Sequence, residues 1–266
     1  MDAGAAADGS LAARAEPGAG PSHWLHGYAA MVRWHLLSLR LWAPAATAIE
    51  ILSGVGMVYG IGLLAPHLSA RGALYATTGP AIVALILLGL ILGPQLVAQE
   101  KMAGRYEYTL TMPVPRSAAA FAWYTVTLLI GLPAAAVTIA AGVVRFGVSL
   151  SVSAQLVPAL LLGTFAITML GYALAHAVSK PMATMLITQV LVFVAFGYAP
   201  INFPSSQMPH WLVEINRALP FLPMATVVRA GLTRGLVTGV WVSYLVLAAW
   251  ALGSAWLALR ALGRRG

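Results

Sequence analysis

Six stretches of this chain are each long and apolar enough to cross a lipid bilayer, and none contains a lysine or an arginine. They run from Trp42 to Leu64, Thr78 to Ala98, Ala118 to Ala141, Leu156 to Val178, Met182 to Pro200 and Leu236 to Leu259. A hydrocarbon core of ~30 Å takes about 20 apolar residues per helical crossing. Inside it every backbone N–H and C=O must be satisfied internally, which restricts a spanning segment to a helix or a closed barrel. Continuous apolar runs of this length predict helices. Only 8% of the residues are charged, against about 25% in soluble domains, and the mean hydropathy is +0.85. The expected fold is therefore all-α, a polytopic bundle of six transmembrane helices.

A formal charge of +8 would suit a nucleic-acid binder if it formed one basic stripe. Here the basic residues are scattered through the connecting segments, so the charge is topological and no nucleic-acid partner is expected. One set of connections and ends holds Arg33, Arg40, Lys101, Arg105, Arg116, Lys180, Arg260, Arg264 and Arg265; the other holds Arg71, Arg145, Arg217, Arg229 and Arg234. Nine against five predicts that both termini lie in the cytoplasm. Arg dominates the basic residues beside abundant Ala and Gly, the bias of a GC-rich bacterial genome, which points to a bacterial plasma membrane. The absence of Cys excludes disulfides, thiolate metal sites and cysteine nucleophiles.

Residues 1–22 are rich in Ala and Gly without an apolar run, so a disordered cytoplasmic tail is expected rather than a cleavable signal. The rest, 23–266, forms the membrane domain. From Trp24 to Arg40, a rotation of 100° per residue gathers Trp24, Leu25, Tyr28, Met31, Val32, Leu36 and Leu39 on an arc of about 140°. Only His35 interrupts it, and His26, Arg33 and Arg40 lie opposite. Such a helix, 24–40, lies in the interface with its basic face toward lipid head groups.

Two connections are too long to be simple turns. The cytoplasmic one, 99–117, carries Glu100, Lys101, Gly104, Arg105, Glu107, Pro113 and Arg116. Its first part is expected to leave the membrane as a helix that Pro113 and Pro115 stop from continuing. A segment with both signs of charge serves either as a rigid knob for a soluble partner or as a solvated loop that enforces topology. The external one, 201–235, is broken by Pro204, Pro209, Pro220 and Pro223, which rule out a continuous seventh crossing. A segment that dips and returns under cover of the bundle fits this pattern. Within it Trp211, Leu212, Ile215 and Leu219 have helical spacing, which predicts a short amphipathic helix beginning just after Pro209.

The order Glu100, Gly104, Glu107, then Pro113-Val114 and Arg116, resembles the cytoplasmic loop of the ABC-2 family of exporter permeases. Met208-Pro209-His210-Trp211-Leu212, followed by Ala218-Leu219-Pro220 and Val228-Arg229, is similar to that family's segment before the last helix, with Leu219-Pro220 where Asn-Pro is usual. The resemblance implies a permease whose 99–117 loop includes a coupling helix seated on a separate ATP-binding-cassette ATPase. Glu100, Lys101, Gly104, Arg105, Glu107, Pro113 and Arg116 would then be the coupling residues, and Pro209, Trp211, Pro220 and Arg229 would belong to an external gate segment. It further implies a second permease copy, identical or homologous. The cargo would be hydrophobic or amphipathic, a drug, an antibiotic or a lipid, and ATP and Mg would sit on the partner subunit.

This chain has no phosphate-binding Gly-Lys-[Ser/Thr], since Lys101 follows Glu100 and Lys180 follows Ser179. The six His are dispersed without a metal-binding pair, and Ser53-Gly54 lacks the pattern of a serine protease. No cofactor and no enzymatic activity are expected of the chain itself. Glu50, the sole acid within a crossing, costs roughly 2.5 to 3.5 kcal/mol there unless it faces protein or water. It is either a cation or proton contact in a transport pathway or a structural hydrogen-bonding group. Gly56 and Gly60, with Gly54 and Gly62 nearby, allow close helix approach, within one subunit or between two. The competing function is a self-sufficient secondary transporter or an intramembrane enzyme; the first would carry inverted repeats and polar, broken midplane helices.

Overall fold

A computed structural model of the chain describes residues 20–104, 106 and 112–263. Among them the regular structure is entirely helical: α1 (Pro21–Ser38), α2 (Trp42–Leu64), α3 (Ala70–Met102), α4 (Arg116–Phe146), α5 (Leu156–Ala177), α6 (Pro181–Gly197), a 3-10 turn (Ser205–Gln207), α7 (His210–Ala218), α8 (Phe221–Leu232) and α9 (Val240–Gly263). Five helices, α2, α3, α4, α5 and α9, are long and apolar enough to cross a membrane. The crossing expected from Met182 to Pro200 forms α6, a helix of 17 residues. At 1.5 Å per residue it reaches about 25 Å. It stops where the backbone takes other partners: Tyr198 O accepts from Asn216 Nδ2, and Ile201 O accepts from Arg229.

The bundle is assembled around α3. This helix packs against α2, α4, α5, α6 and α8, and nearly all of its side chains from Ala73 to Leu90 are buried. Ser69 caps its start, the hydroxyl accepting from the Gly72 N–H at 3.1 Å. Pro80 and Pro94 lie inside it and do not end it. It crosses α5 closely, where a Cβ on Gly171 would stand 2.3 Å from the Gly89 carbonyl oxygen. α9 closes the far side of α5 and also covers α8.

α2 stands on the outside and packs mainly on α4. Gly54, Val58 and Gly62 are its buried residues, and a Cβ on Gly54 or Gly62 would strike Thr138 or Arg145 of α4. Gly56 and Gly60 face open space. The glycines thus divide by face, Gly54 and Gly62 serving contact within the subunit.

The helix expected over 24–40 is α1, displaced about two residues toward the N-terminus. Its inward side is narrower than the predicted arc: Gly27, Met31 and, just beyond its end, Leu39 are buried, while Leu25 and Leu36 are exposed. α4 offers it a solid neighbour, so the apolar stripe packs on protein as well as facing outward. The short amphipathic helix begins where expected, after Pro209, but Trp211 and Ile215 point outward and Asn216 is the residue it buries. Asn216 turns inward because its amide bridges two carbonyls, Tyr198 O and Leu212 O, each at 2.9 Å.

Candidate functional site: a clamped connection and a fastened hairpin

At the α1 end of the bundle, α3 ends at Met102 and the chain turns at Gly104, whose φ of +70° is left-handed. Nothing stands within 4 Å of where its Cβ would be, so the glycine serves the turn and not a close approach. Arg105 and Glu107 lie outside the described residues. The chain re-enters regular structure through Val114 and Pro115, with Pro115 as the N-cap of α4 and Arg116 its first, exposed residue. Pro113 is exposed as well.

Both ends of this connection are fixed to the bundle. Lys101 Nζ donates to Ala175 O at 2.6 Å and Val178 O at 2.7 Å, carbonyls at the C-terminal end of α5. A cation there also complements the helix dipole. Tyr106 Oη lies 2.7 Å from His176 Nδ1, and the Lys101 ammonium sits 4.8 Å from the Tyr106 ring centre. Lys101, expected among the outward contacts, is thus placed with its charge turned into the bundle. On the other side α1 is joined to the start of α4: Trp24 Nε1 donates to Ser117 Oγ at 2.9 Å, Tyr28 Oη lies 2.8 Å from Thr125 Oγ1, and Gly27 sits directly against Val114 and Pro115. His35 places its ring edge-on to Trp123 at 5.1 Å. Burial pushes its pKa down to about 4, so the imidazole is neutral near pH 7 and belongs with its apolar neighbours.

At the opposite end, Arg229 of α8 is fully buried. Its Nε donates to Thr78 Oγ1 of α3 at 3.0 Å, a terminal nitrogen donates to Ile201 O, and the guanidinium lies 4.0 Å from the Tyr75 ring centre. Ser151 and Ser153 donate their N–H groups to Leu232 O and Gly231 O, satisfying the last carbonyls of α8. Arg71 donates to Leu236 O and Arg145 to Gly62 O, each at 3.0 Å. Arg71, Arg145 and Arg229 therefore act as braces between segments. Pro209 and Pro220 are the N-caps of α7 and α8. Pro223 falls in the first turn of α8, where its missing N–H has no helical partner to lose.

Glu50 continues the Gly54, Val58, Gly62 stripe by one turn, which puts it on the α4 side of α2. It is half-buried, and its Oε2 is covered without a hydrogen-bond partner among the described residues.

A family model described as ABC-2 family transporter protein matches residues 59–260. The chain belongs to the ABC-2 transporter family. It is a multi-pass membrane permease of an ABC transporter, a class whose ATP-binding subunit supplies the hydrolysis. No curated protein matches it. The match includes the whole 99–117 connection and the α7–α8 hairpin and leaves α1 outside it.

The permease positions several residues whose partners lie far away in sequence. Thr78 and Tyr75, which receive Arg229, read as ordinary residues of an apolar run, and Asn216 as one more polar residue of a loop. A single buried arginine in an apolar 12-residue segment was the available signal for the first pair. Gly89 and Gly171 carried none, because each stands alone in its own helix pattern.

Proposed function

We propose that this permease is the membrane half of an ATP-driven exporter, paired with a separate ATP-binding-cassette ATPase and a second permease copy. In this arrangement α6 crosses with the other five, giving six crossings with both termini in the cytoplasm. The connection between α3 and α4 receives the movement of the ATPase. The observation that carries this reading is the double fixation of that connection: Lys101 ties its start to the end of α5, and α1 ties its end to α4. A displacement imposed on the segment between is then transmitted to two spanning helices at once.

Arg116 supports the same view. It stands exposed at the first position of α4, where a cation opposes the helix dipole by roughly 0.3 to 1 kcal/mol. That placement suits a residue that meets an external partner as well as one that enforces orientation. At the other end the α7–α8 hairpin, fastened by Arg229, forms the external gate segment. The cargo is hydrophobic or amphipathic.

Charge reversal in the connection tests the proposal. Glu107 lies outside every long apolar run of the sequence, so Glu107→Lys should leave membrane abundance normal. Co-purification of the ATPase, or cargo-stimulated hydrolysis within an intact complex, should fall; at a desolvated contact such a change costs roughly 2 to 5 kcal/mol, and much less at an exposed rim. Reversals at Glu100, Arg105 and Glu107 that leave assembly, hydrolysis and export unchanged would show the segment to be only solvated.

A further inference from the structure

Between α1 and the ends of α3, α4, α5 and α9 lies a cavity of about 650 Å³. That volume is within the ~300 to 1,000 Å³ of sites that enclose drug-sized ligands. Its walls combine two chemistries. Trp34, Trp42, Tyr106, Trp123 and Tyr172 come from five different segments. Three of these rings are deep, with Trp123, Tyr106 and Tyr172 at 5%, 7% and 8% exposure, and two are shallow, with Trp34 and Trp42 at 48% and 73%. Gln99, Glu100 and Arg116 add hydrogen-bonding groups of both charges, and the neutral imidazole of His35 completes the wall near Trp123.

We propose that this cavity binds a flat aromatic amphipath, a molecule with a ring body and one polar end. The ring body lies against the deep aromatic wall, where offset and edge-on ring contacts add to the gain from burial. The polar end meets the Gln99, Glu100 and Arg116 side. Trp34 and Trp42, on an amphipathic helix and at the start of a spanning one, stand at the level where a molecule dissolved among lipid head groups arrives. A phospholipid tail is the poorer match: it gains nothing specific from ring faces, and aliphatic walls already face lipid along α2 and α9. Treating the bound molecule as cargo rests on the exporter assignment above; binding itself does not.

The test uses the full permease alone in lipid nanodiscs, with rhodamine 6G as probe and fluorescence anisotropy as readout. The wild type should bind saturably. Ala119→Phe, which fills the cavity from a lining position, should abolish binding. Trp34→Ala removes an exposed ring with little risk to folding and should weaken binding by about tenfold. Equal affinity in all three proteins, or a phospholipid retained by the wild type in native mass spectrometry that the dye does not displace, overturns the proposal. Adding the ATPase separates the two claims. Binding that follows the mutants without dye-stimulated hydrolysis or transport leaves the site standing and removes the exporter assignment. Stimulation that survives both mutants does the reverse.

Discussion

The Nε of Arg229 and the hydroxyl of Thr78 lie 3.0 Å apart, joining a 12-residue helix that is too short to span the bilayer to the 33-residue helix at the centre of the bundle. Among the described residues no acidic side chain pairs with this arginine. Its charge is held by a hydroxyl, the Ile201 carbonyl and the face of Tyr75. Removing one acceptor leaves a buried N–H of a charged group unsatisfied, at a cost of about 1 to 3 kcal/mol. Thr78→Val keeps the shape and should lower the melting temperature of the purified protein accordingly. Arg229→Lys should do the same, since one ammonium cannot reproduce the fork that serves Thr78 and Ile201 together. A Thr78→Val protein that melts with the wild type would mean that the hairpin is fastened elsewhere.

The Gly89 and Gly171 crossing sets how closely α3 and α5 approach. A Cβ on Gly171 would stand 2.3 Å from a backbone oxygen, an atom that cannot swing aside as a side-chain tip can. Gly171→Ala therefore has to push the helices apart, for about 1 to 3 kcal/mol. Gly56→Ala, which meets nothing within 4 Å, should leave the stability of the monomer unchanged or raise it by up to about 1 kcal/mol. Equal losses at the two positions would contradict this packing.

How far the sequence reached depended on whether a feature was local. Hydropathy located five spanning helices to within a few residues at one or both ends, and Pro209 marked the start of α7. These follow from solvent and from backbone geometry, which neighbouring residues determine. The helix expected from Met182 to Pro200 is α6, Pro181–Gly197, and only its last turn was not legible, because Asn216 and Arg229 claim the carbonyls of Tyr198 and Ile201 from elsewhere in the chain. The side of α1 that faces protein was legible only in part: hydrophobicity alone does not distinguish α4 from lipid, since both accept Leu and Trp. Within the connection, the types and order of residues left a contact surface and a solvated loop both open, and the inward turn of Lys101 depends on where α5 ends. Glu50 was expected to avoid lipid for electrostatic reasons, and its place beside the α2 and α4 contact follows from helix register.

His35 makes the seating of α1 dependent on pH. Its pKa is lowered by burial from the usual 6.5 to about 4, so the unfolded or undocked helix takes up a proton first. Stability is then lost as pH falls from about 6.5 toward 4 and changes little from this source at neutral pH or below 4. Glu100, Arg116 and His176 face the same cavity and titrate or carry charge nearby. Comparison with His35→Gln isolates the histidine. Protease protection of α1, followed between pH 7 and 4.5, should decline in the wild type and stay flatter in the variant. Identical profiles would place the pH response on another group.

Gly27 offers the most direct test of whether α1 is part of the coupling path or only ballast at the interface. A Cβ there would stand 3.0 Å from Pro115 Cδ and 3.2 Å from Val114 Cγ1, so the residues that lead into α4 must shift to admit it. Alanine also favours the helix over glycine by roughly 1 kcal/mol, which offsets part of the crowding. Gly27→Ala should therefore change thermal stability by no more than about 1 kcal/mol in either direction. Its effect should appear instead in the complex: if the Val114–Pro115 end transmits the ATPase stroke, a small displacement should lower cargo-stimulated hydrolysis while leaving co-purification intact. Gly27→Leu, too large to be absorbed, should lift α1 from α4 and abolish stimulation. The control is Ala30→Leu on the exposed side of α1, which adds the same bulk away from the contact and should couple normally. Full stimulation in Gly27→Leu would show that α1 does not hold the connection in its working position.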